Sequence, residues 1–123
     1  MLWTVIFAAA FEVEFGDLPE AVQDEVVSLA GLLAANGPHL GRPQVDTLKG
    51  SSFANMKELR FRAADGVWRV AFAFDPRRQA VVLVAGDKSG VSPLRFYRSL
   101  IARADMRYQA HLDRYASKKK ETS

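Results

Sequence analysis

Alternation of apolar and polar residues is clearest in the middle of the chain. Over residues 57–63, Lys57, Leu59 and Phe61 fall on one side and Glu58, Arg60 and Arg62 on the other, the period of a strand. Ala64-Asp65-Gly66 carries an Asp-Gly hairpin signal. Residues 67–74 alternate again, with Trp68, Val70, Phe72 and Phe74 against Arg69, Ala71 and Ala73. Beyond the turn Asp75-Pro76-Arg77-Arg78, residues 80–86 are apolar on both sides, which predicts a central strand covered on at least one face.

The flanking segments have a different rhythm. Residues 2–7 are aromatic and β-branched and read as a first strand, followed by a short helical turn over residues 8–15. Pro19 opens a helix over residues 19–36, where Val22, Val26, Leu29 and Leu33 recur at helical spacing and Asn36-Gly37-Pro38 stops the run. Residues 37–52 form a long polar connection with three glycines and two prolines, the kind of loop that often carries function. Ser92-Pro93 reads as an N-cap and first helical position. The last helix is expected to run to about residue 115, with Leu94, Tyr97, Ile101, Ala104, Tyr108, His111 and Tyr115 as one seam. The expected organisation is one α+β domain over residues 1–115 and a basic flexible tail over 116–123.

The two hairpin strands imply two unlike faces. Leu59, Phe61, Trp68, Val70, Phe72 and Phe74 form an aromatic face, expected to lie under the helix of residues 19–36. Arg60, Arg62 and Arg69 share the opposite face with Ala71 and Ala73, which predicts a concave floor with guanidinium groups projecting from it. A guanidinium is a rigid fork of donors that matches phosphate oxygens.

Charge strengthens this picture. Residues 1–41 hold six carboxylates and no Lys or Arg, whereas residues 42–123 hold all 17 basic residues against eight acidic ones. Such polarity predicts a basic working face and an acidic back, with nucleic acid as the natural partner. With no cysteine and two distant histidines, neither a disulfide framework nor a structural zinc site is expected. No cofactor or metal is called for. No apolar run is long enough to span a membrane and no signal peptide is evident, so a cytoplasmic protein is expected.

Proton-transfer candidates are Tyr97 and His111, both on the apolar seam of the last helix, and Asp46 in the long connection. Lys88, in the glycine-bounded turn Gly86-Asp87-Lys88-Ser89-Gly90, is a candidate phosphate contact.

Several segments together resemble a known family. Leu48-Lys49-Gly50, Lys57-Glu58-Leu59-Arg60, Trp68 to Phe74, and Val82 to Lys88 occur in an order similar to that of the RelE/HigB superfamily, and most closely its phage Gp49-like branch. Typical of that branch are the patterns found here at Gly41–Gly50, Glu58–Arg60, Phe72–Arg77, Gly86–Gly90, Phe96-Tyr97, Ala104-Asp105 and His111-Leu112. The resemblance implies a microbial RNase-like fold: a twisted, mainly antiparallel four-stranded sheet with N-terminal helices on one face and a C-terminal helix, the other face being a basic groove.

It also implies the toxin of a type II toxin–antitoxin system, cutting mRNA on the ribosome by attack of the ribose 2′-OH on the adjacent phosphate. Arg69 matches the family's strand arginine at the scissile phosphate, Lys88 its basic position after the last strand, and Tyr97, or equally Phe96, its final-helix tyrosine. Arg60 joins them by alternation. Arg62, Lys57, Lys49 and Arg95 would extend the RNA contact. Two lysines of the best-known members are replaced by Met56 and Glu58, and no histidine starts the last helix. Glu58, Asp46, Tyr97 and His111 therefore all stay open as acid or base. Implied partners are the ribosome, mRNA and a helix-turn-helix antitoxin, in a heterotetramer by analogy. A ParE-like gyrase inhibitor and a non-catalytic antitoxin-binding member are the alternatives.

Overall fold

The computed structural model describes residues 2–122, the side chains of residues 118–122 excepted. The elements are β1 (Thr4–Phe7), α1 (Ala9–Phe15), α2 (Glu20–Asn36), a 3-10 turn (Gly37–His39), β2 (Val45–Thr47), β3 (Met56–Ala63), β4 (Gly66–Phe74), β5 (Gln79–Asp87) and α3 (Pro93–Thr122). The strands form one sheet in the order β1-β5-β4-β3-β2. β1 runs parallel to β5, and the other pairs are antiparallel.

The sheet thus has five strands, not the expected four. The extra one, β2, lies inside the long polar connection and pairs with the first half of β3, Val45 opposite Leu59 and Thr47 opposite Lys57. Three residues cannot display an alternation, and only Val45 of the three is buried. Pairing with a neighbour, rather than local preference, makes this strand.

One face of the sheet behaves as its pattern predicts. Leu59, Trp68, Val70, Phe72 and Val82 pack under Val22, Val26, Leu29 and Leu33 of α2 and Phe11 of α1. Each such side chain removed from water contributes about 1.5–3 kcal/mol. The N-terminal strand is held against the same layer. Trp3 donates its backbone N–H to Ala34 O at 2.8 Å, and its indole covers Gly37. Gly37 has φ +55°, and a Cβ there would meet Trp3 Nε1 at 2.3 Å, so this position requires glycine.

The opposite face differs from the expected open floor. Ala71 and Ala73 are fully buried, packed with Met56, Val81 and Leu83 beneath Phe96, Leu100, Ala104 and Tyr108 of α3. Their small size lets a helix lie close to the sheet; it does not leave a concavity. Only the end of this face that carries Arg60 and Arg69 extends beyond the helix.

The N-terminus of α3 follows the sequence signal, with the Ser92 Oγ accepting the Arg95 N–H at 3.3 Å. Its buried seam is Phe96, Leu100, Ala104 and Tyr108: Ala104 and Tyr108 fall as expected, whereas Phe96 and Leu100 stand one position before the expected Tyr97 and Ile101, and Leu94 is 73% exposed. The helix continues to Thr122, past the expected end near residue 115. The expected flexible tail coincides with its last turns, and the side chains of residues 118–122, together with Ser123, lie outside the described residues. Among the described residues no helix is long and apolar enough to cross a membrane.

Asp75 ties the β4–β5 turn to α3. Its Oδ1 accepts the Arg77 and Gln79 N–H groups, both at 2.9 Å. Its Oδ2 accepts from Gln79 Nε2 at 2.8 Å, His111 Nε2 at 2.9 Å and Tyr115 OH at 3.1 Å. Burial acts to raise this carboxyl, but the donors, His111 foremost, outweigh it and hold the pKa below the ordinary 3.8. A folded-state pKa below the unfolded one means that the stabilisation is present above about pH 4 and lost as pH falls through the lowered value. Asp75→Ala would leave five donors unpaired and is expected to cost about 3–5 kcal/mol. Urea unfolding at pH 7 and pH 3 checks this, with the difference between variant and parent shrinking at the lower pH.

A candidate RNA-binding groove

The register of the central hairpin builds the site. Arg60 on β3 is directly opposite Arg69 on β4, and Glu58 is opposite Ala71. Arg60, Glu58 and Arg69 therefore point to the same side of the sheet, where α3 begins. Tyr97, in the first turns of α3, closes the set. Its hydroxyl accepts the Arg69 Nε–H at 3.2 Å and donates to Glu58 Oε1 at 3.3 Å. The Nε atoms of Arg69 and Arg60 each lie 3.8 Å from that same Oε1. Arg69 is nearly buried and also donates from Nη1 to Trp68 O at 2.9 Å, so its guanidinium is held in place.

Glu58 is 6% exposed. Its Oε2 is buried with no hydrogen-bond partner among the described residues. Burial pushes the carboxyl above the ordinary 4.5, against the Tyr97 hydrogen bond and the two arginine charges. Asp46 behaves oppositely. The Thr47 N–H and Arg42 hold its pKa below 3.8, so at neutral pH it is an ionised bracket. It pairs with Arg42 at 2.9 Å and with Arg60 at 3.6 Å. The result is a shallow depression of about 410 Å³ lined by Arg42, Arg60, Arg62 and Arg69 with Pro43, Phe61 and Val67.

Lys88 stands at the edge of the cluster. The Asp87 carboxylate accepts the N–H groups of Val67 at 3.0 Å and Ser89 at 2.9 Å, locking this turn onto the hairpin. The Lys88 Nζ then lies 5.9 Å from the Tyr97 ring centroid. Its pKa is lowered from 10.5, first by burial and then by the charges of Arg69 and Arg60. Burial raises Tyr97 above 10.0 despite the hydrogen bond from Arg69.

The structure therefore gathers Arg69, Arg60, Glu58, Tyr97, Lys88, Asp46 and Arg62. Tyr97, not Phe96, faces the cluster; Phe96 is buried against Gly86, where a Cβ would stand 3.0 Å from its ring. The remaining candidates lie elsewhere. His111 is bonded to Asp75, at the other end of the strands. Lys57 is on the opposite side of β3, near Thr47 Oγ1 at 3.5 Å. Lys49 is exposed on the β2–β3 connection, and Arg95 is exposed in the first turn of α3. Arg42 was missed by sequence reasoning. Its only signal was its place in the long connection, beside no alternating partner.

An α+β fold with an arginine-lined groove beside a buried carboxylate is the class of protein that this architecture defines. The comparisons agree. Residues 13–109 match the family described as "Phage derived protein Gp49-like (DUF891)". A Mycobacterium tuberculosis H37Rv protein named "Putative toxin HigB3" is 48% identical over 88 residues, 69% of this chain and 75% of that protein. "Putative toxin HigB2" of the same organism is 43% identical over 89 residues, 72% of this chain but only 44% of that longer protein. The free E. coli toxin RelE, solved as a double arginine-to-alanine mutant, superposes with TM-score 0.59 at 13% identity, covering 83% of this chain and 96% of RelE. At that identity the likeness is one of fold. The chain belongs to the Gp49-like branch of the RelE/HigB toxin superfamily of toxin–antitoxin systems.

Proposed function

We propose that the chain is a ribosome-dependent mRNA endonuclease, the toxin of its pair, and that the arginine groove is where the scissile phosphate binds. The observation that supports this best is the convergence of Arg42, Arg60, Arg62 and Arg69 on one depression beside a buried glutamate. Four guanidinium groups are an electrostatic match for a phosphodiester and for the extra charge that builds on it during transfer.

In this reading Glu58 takes the proton of the ribose 2′-OH as the new P–O2′ bond forms. The bond to the 5′-oxygen breaks, and Lys88 donates the proton that the leaving oxygen needs. The products are a 2′,3′-cyclic phosphate and a 5′-hydroxyl. A phosphate seated between Arg60 and Arg69 also draws those charges away from Glu58, so substrate binding strengthens the base. Tyr97 holds Glu58 and Arg69 in register. The antitoxin is read as a helix-turn-helix protein, and the inactive complex as a heterotetramer.

Primer extension on cellular mRNA after induction tests the assignment. Defined breaks within coding regions, bearing 5′-hydroxyl ends, are the expected outcome. Intact message with an SOS response would replace it with gyrase inhibition, the reading that the buried Met56 at a family lysine position keeps in view.

A further inference from the structure

The opposite edge of the sheet carries a second, larger depression of about 540 Å³. It runs between the β1–α1 corner, residues 6–10, and the second half of α3, with Arg77 and Tyr115 at one end. None of its lining residues belongs to the arginine groove.

Methyl groups form part of its floor, beside Ile6, Phe7 and Tyr115. Ala9 and Ala10 on α1 and Ala110 on α3 are all exposed. The same helix faces continue as Val13, 78% exposed, and Met106, 64% exposed, each about one turn further along. Small side chains keep the cleft open, and exposed apolar side chains on the two helices that flank it suit an interaction surface.

The rim is cationic. The nearby carboxylates are already committed: Glu14 forms a two-pronged pair with Arg107 at 2.7 and 2.8 Å, and Asp75 is buried among its five donors. Arg77 lies over the Tyr115 ring, 4.1 Å from its centroid. Neither Arg77 nor Arg114 has an acidic partner within ion-pair distance among the described residues. Two cations beside an aliphatic floor suit a polypeptide segment with a carboxylate set among small apolar side chains. An RNA contact, for which the rim arginines and the Tyr115 ring would also serve, is the other outcome of the test below.

We propose that this cleft is the docking site for such an acidic–apolar segment of the cognate antitoxin. The proposal rests on the toxin reading above and extends it. In this reading the segment sits at the edge of the sheet away from the arginine groove, with which the cleft shares no lining residue.

The test uses the full chain and its full-length antitoxin, read above as a helix-turn-helix protein. Ala110→Arg fills the cleft and Arg114→Glu reverses its rim; both positions are exposed, so the fold is expected to be retained. Each variant should still arrest growth when induced alone, yet escape rescue by the co-expressed antitoxin. Calorimetric titration of the purified proteins should show affinity about a hundredfold weaker for Ala110→Arg and about tenfold weaker for Arg114→Glu. Unchanged rescue and affinity in both variants would overturn the proposal. So would loss of arrest without antitoxin while the antitoxin still binds, which would make the cleft an RNA or ribosome contact. If the parent chain itself causes no arrest, the toxin reading fails, and the titration still decides where the antitoxin docks.

Discussion

Arg69→Ala is expected to lower mRNA cleavage by about three orders of magnitude and to abolish growth arrest on induction. The guanidinium has two roles in the groove. It is a positive wall for the phosphate, and it is the cation closest to Glu58 that is itself immobilised, by Tyr97 OH and Trp68 O. Alanine removes the transition-state charge stabilisation. It also leaves Glu58 with one neighbouring cation fewer, so the carboxyl moves further upward and is more often protonated. That protonation lets the variant fold, because a neutral carboxyl tolerates burial where a lone charge would not. Arg69→Lys keeps the charge but not the planar fork and should recover only part of the activity. Growth curves and cleavage of a ribosome-bound message, with circular dichroism to confirm folding, check the series. A folded Arg69→Ala protein that still arrests growth fully would remove the groove from the mechanism.

Glu58→Gln should separate activity from stability in opposite directions. Cleavage is expected to fall by about 10²–10⁴, the usual worth of a general base, and the acidic limb of the pH–rate profile should vanish with it. Thermal stability at neutral pH should rise. Burial raises the folded-state pKa of this carboxyl above the ordinary 4.5, so the folded protein binds the proton more tightly than the unfolded chain. Stability contributed by Glu58 is therefore greatest below pH 4.5, declines as pH climbs through the raised value, and levels off above it. Glutamine cannot ionise and escapes that decline, while its amide oxygen still accepts from Tyr97. The melting-temperature gap between variant and parent should accordingly be small at pH 4 and widen by pH 8. A gap independent of pH would mean that Glu58 is not destabilised by ionising. An unimpaired cleavage rate would show that another group takes the proton.

Within the fold, legibility in the sequence followed the length of each repeating pattern. β3, β4 and β5 each span eight or nine residues, enough turns of a period-2 repeat to reveal which side chains share a face. The alternation put Arg60 and Arg69 on one face, but not opposite each other. An Asp65-Gly66 turn would pair Arg62 with Arg69, whereas the loop is Ala64-Asp65, both at positive φ, which moves the register to Arg60. β2, at three residues, carries no period at all. For α3 the helical spacing was visible but its phase was not. Candidates stood at Tyr97, Ile101, Ala104 and Tyr108; the sheet kept Ala104 and Tyr108 but took Phe96 and Leu100 in place of the first two. An amphipathic stripe of 3,4 spacing is compatible with neighbouring rotations of the helix, and only the surface it meets chooses among them.

The candidate site divides along the same line. Glu58, Arg60, Arg62 and Arg69 were readable together because one strand pair carries them. Tyr97 and Lys88 were singled out on the last helix and in the glycine-bounded turn, but their contact with the hairpin depends on where α3 and the β5 turn land. His111 is the clearest displacement. Its spacing placed it on the same seam as Tyr97, yet the helix carries it some 14 residues along, about 21 Å, to the Asp75 clasp.

By itself, then, the order of residues determined the longer strands with their faces and the acidic and basic division of the chain, which follow from period, turn chemistry and composition and are local. The family was legible through the resemblance of its ordered motifs. Only tertiary packing decided that Ala71 and Ala73 are a seat for α3, that Arg42 and Asp46 join the groove through a three-residue edge strand, and that Glu58 is buried. The physical reason is common to all three. Burial, and the pKa that burial imposes, depends on atoms distant in sequence, and nothing in a residue's own neighbourhood records what will cover it.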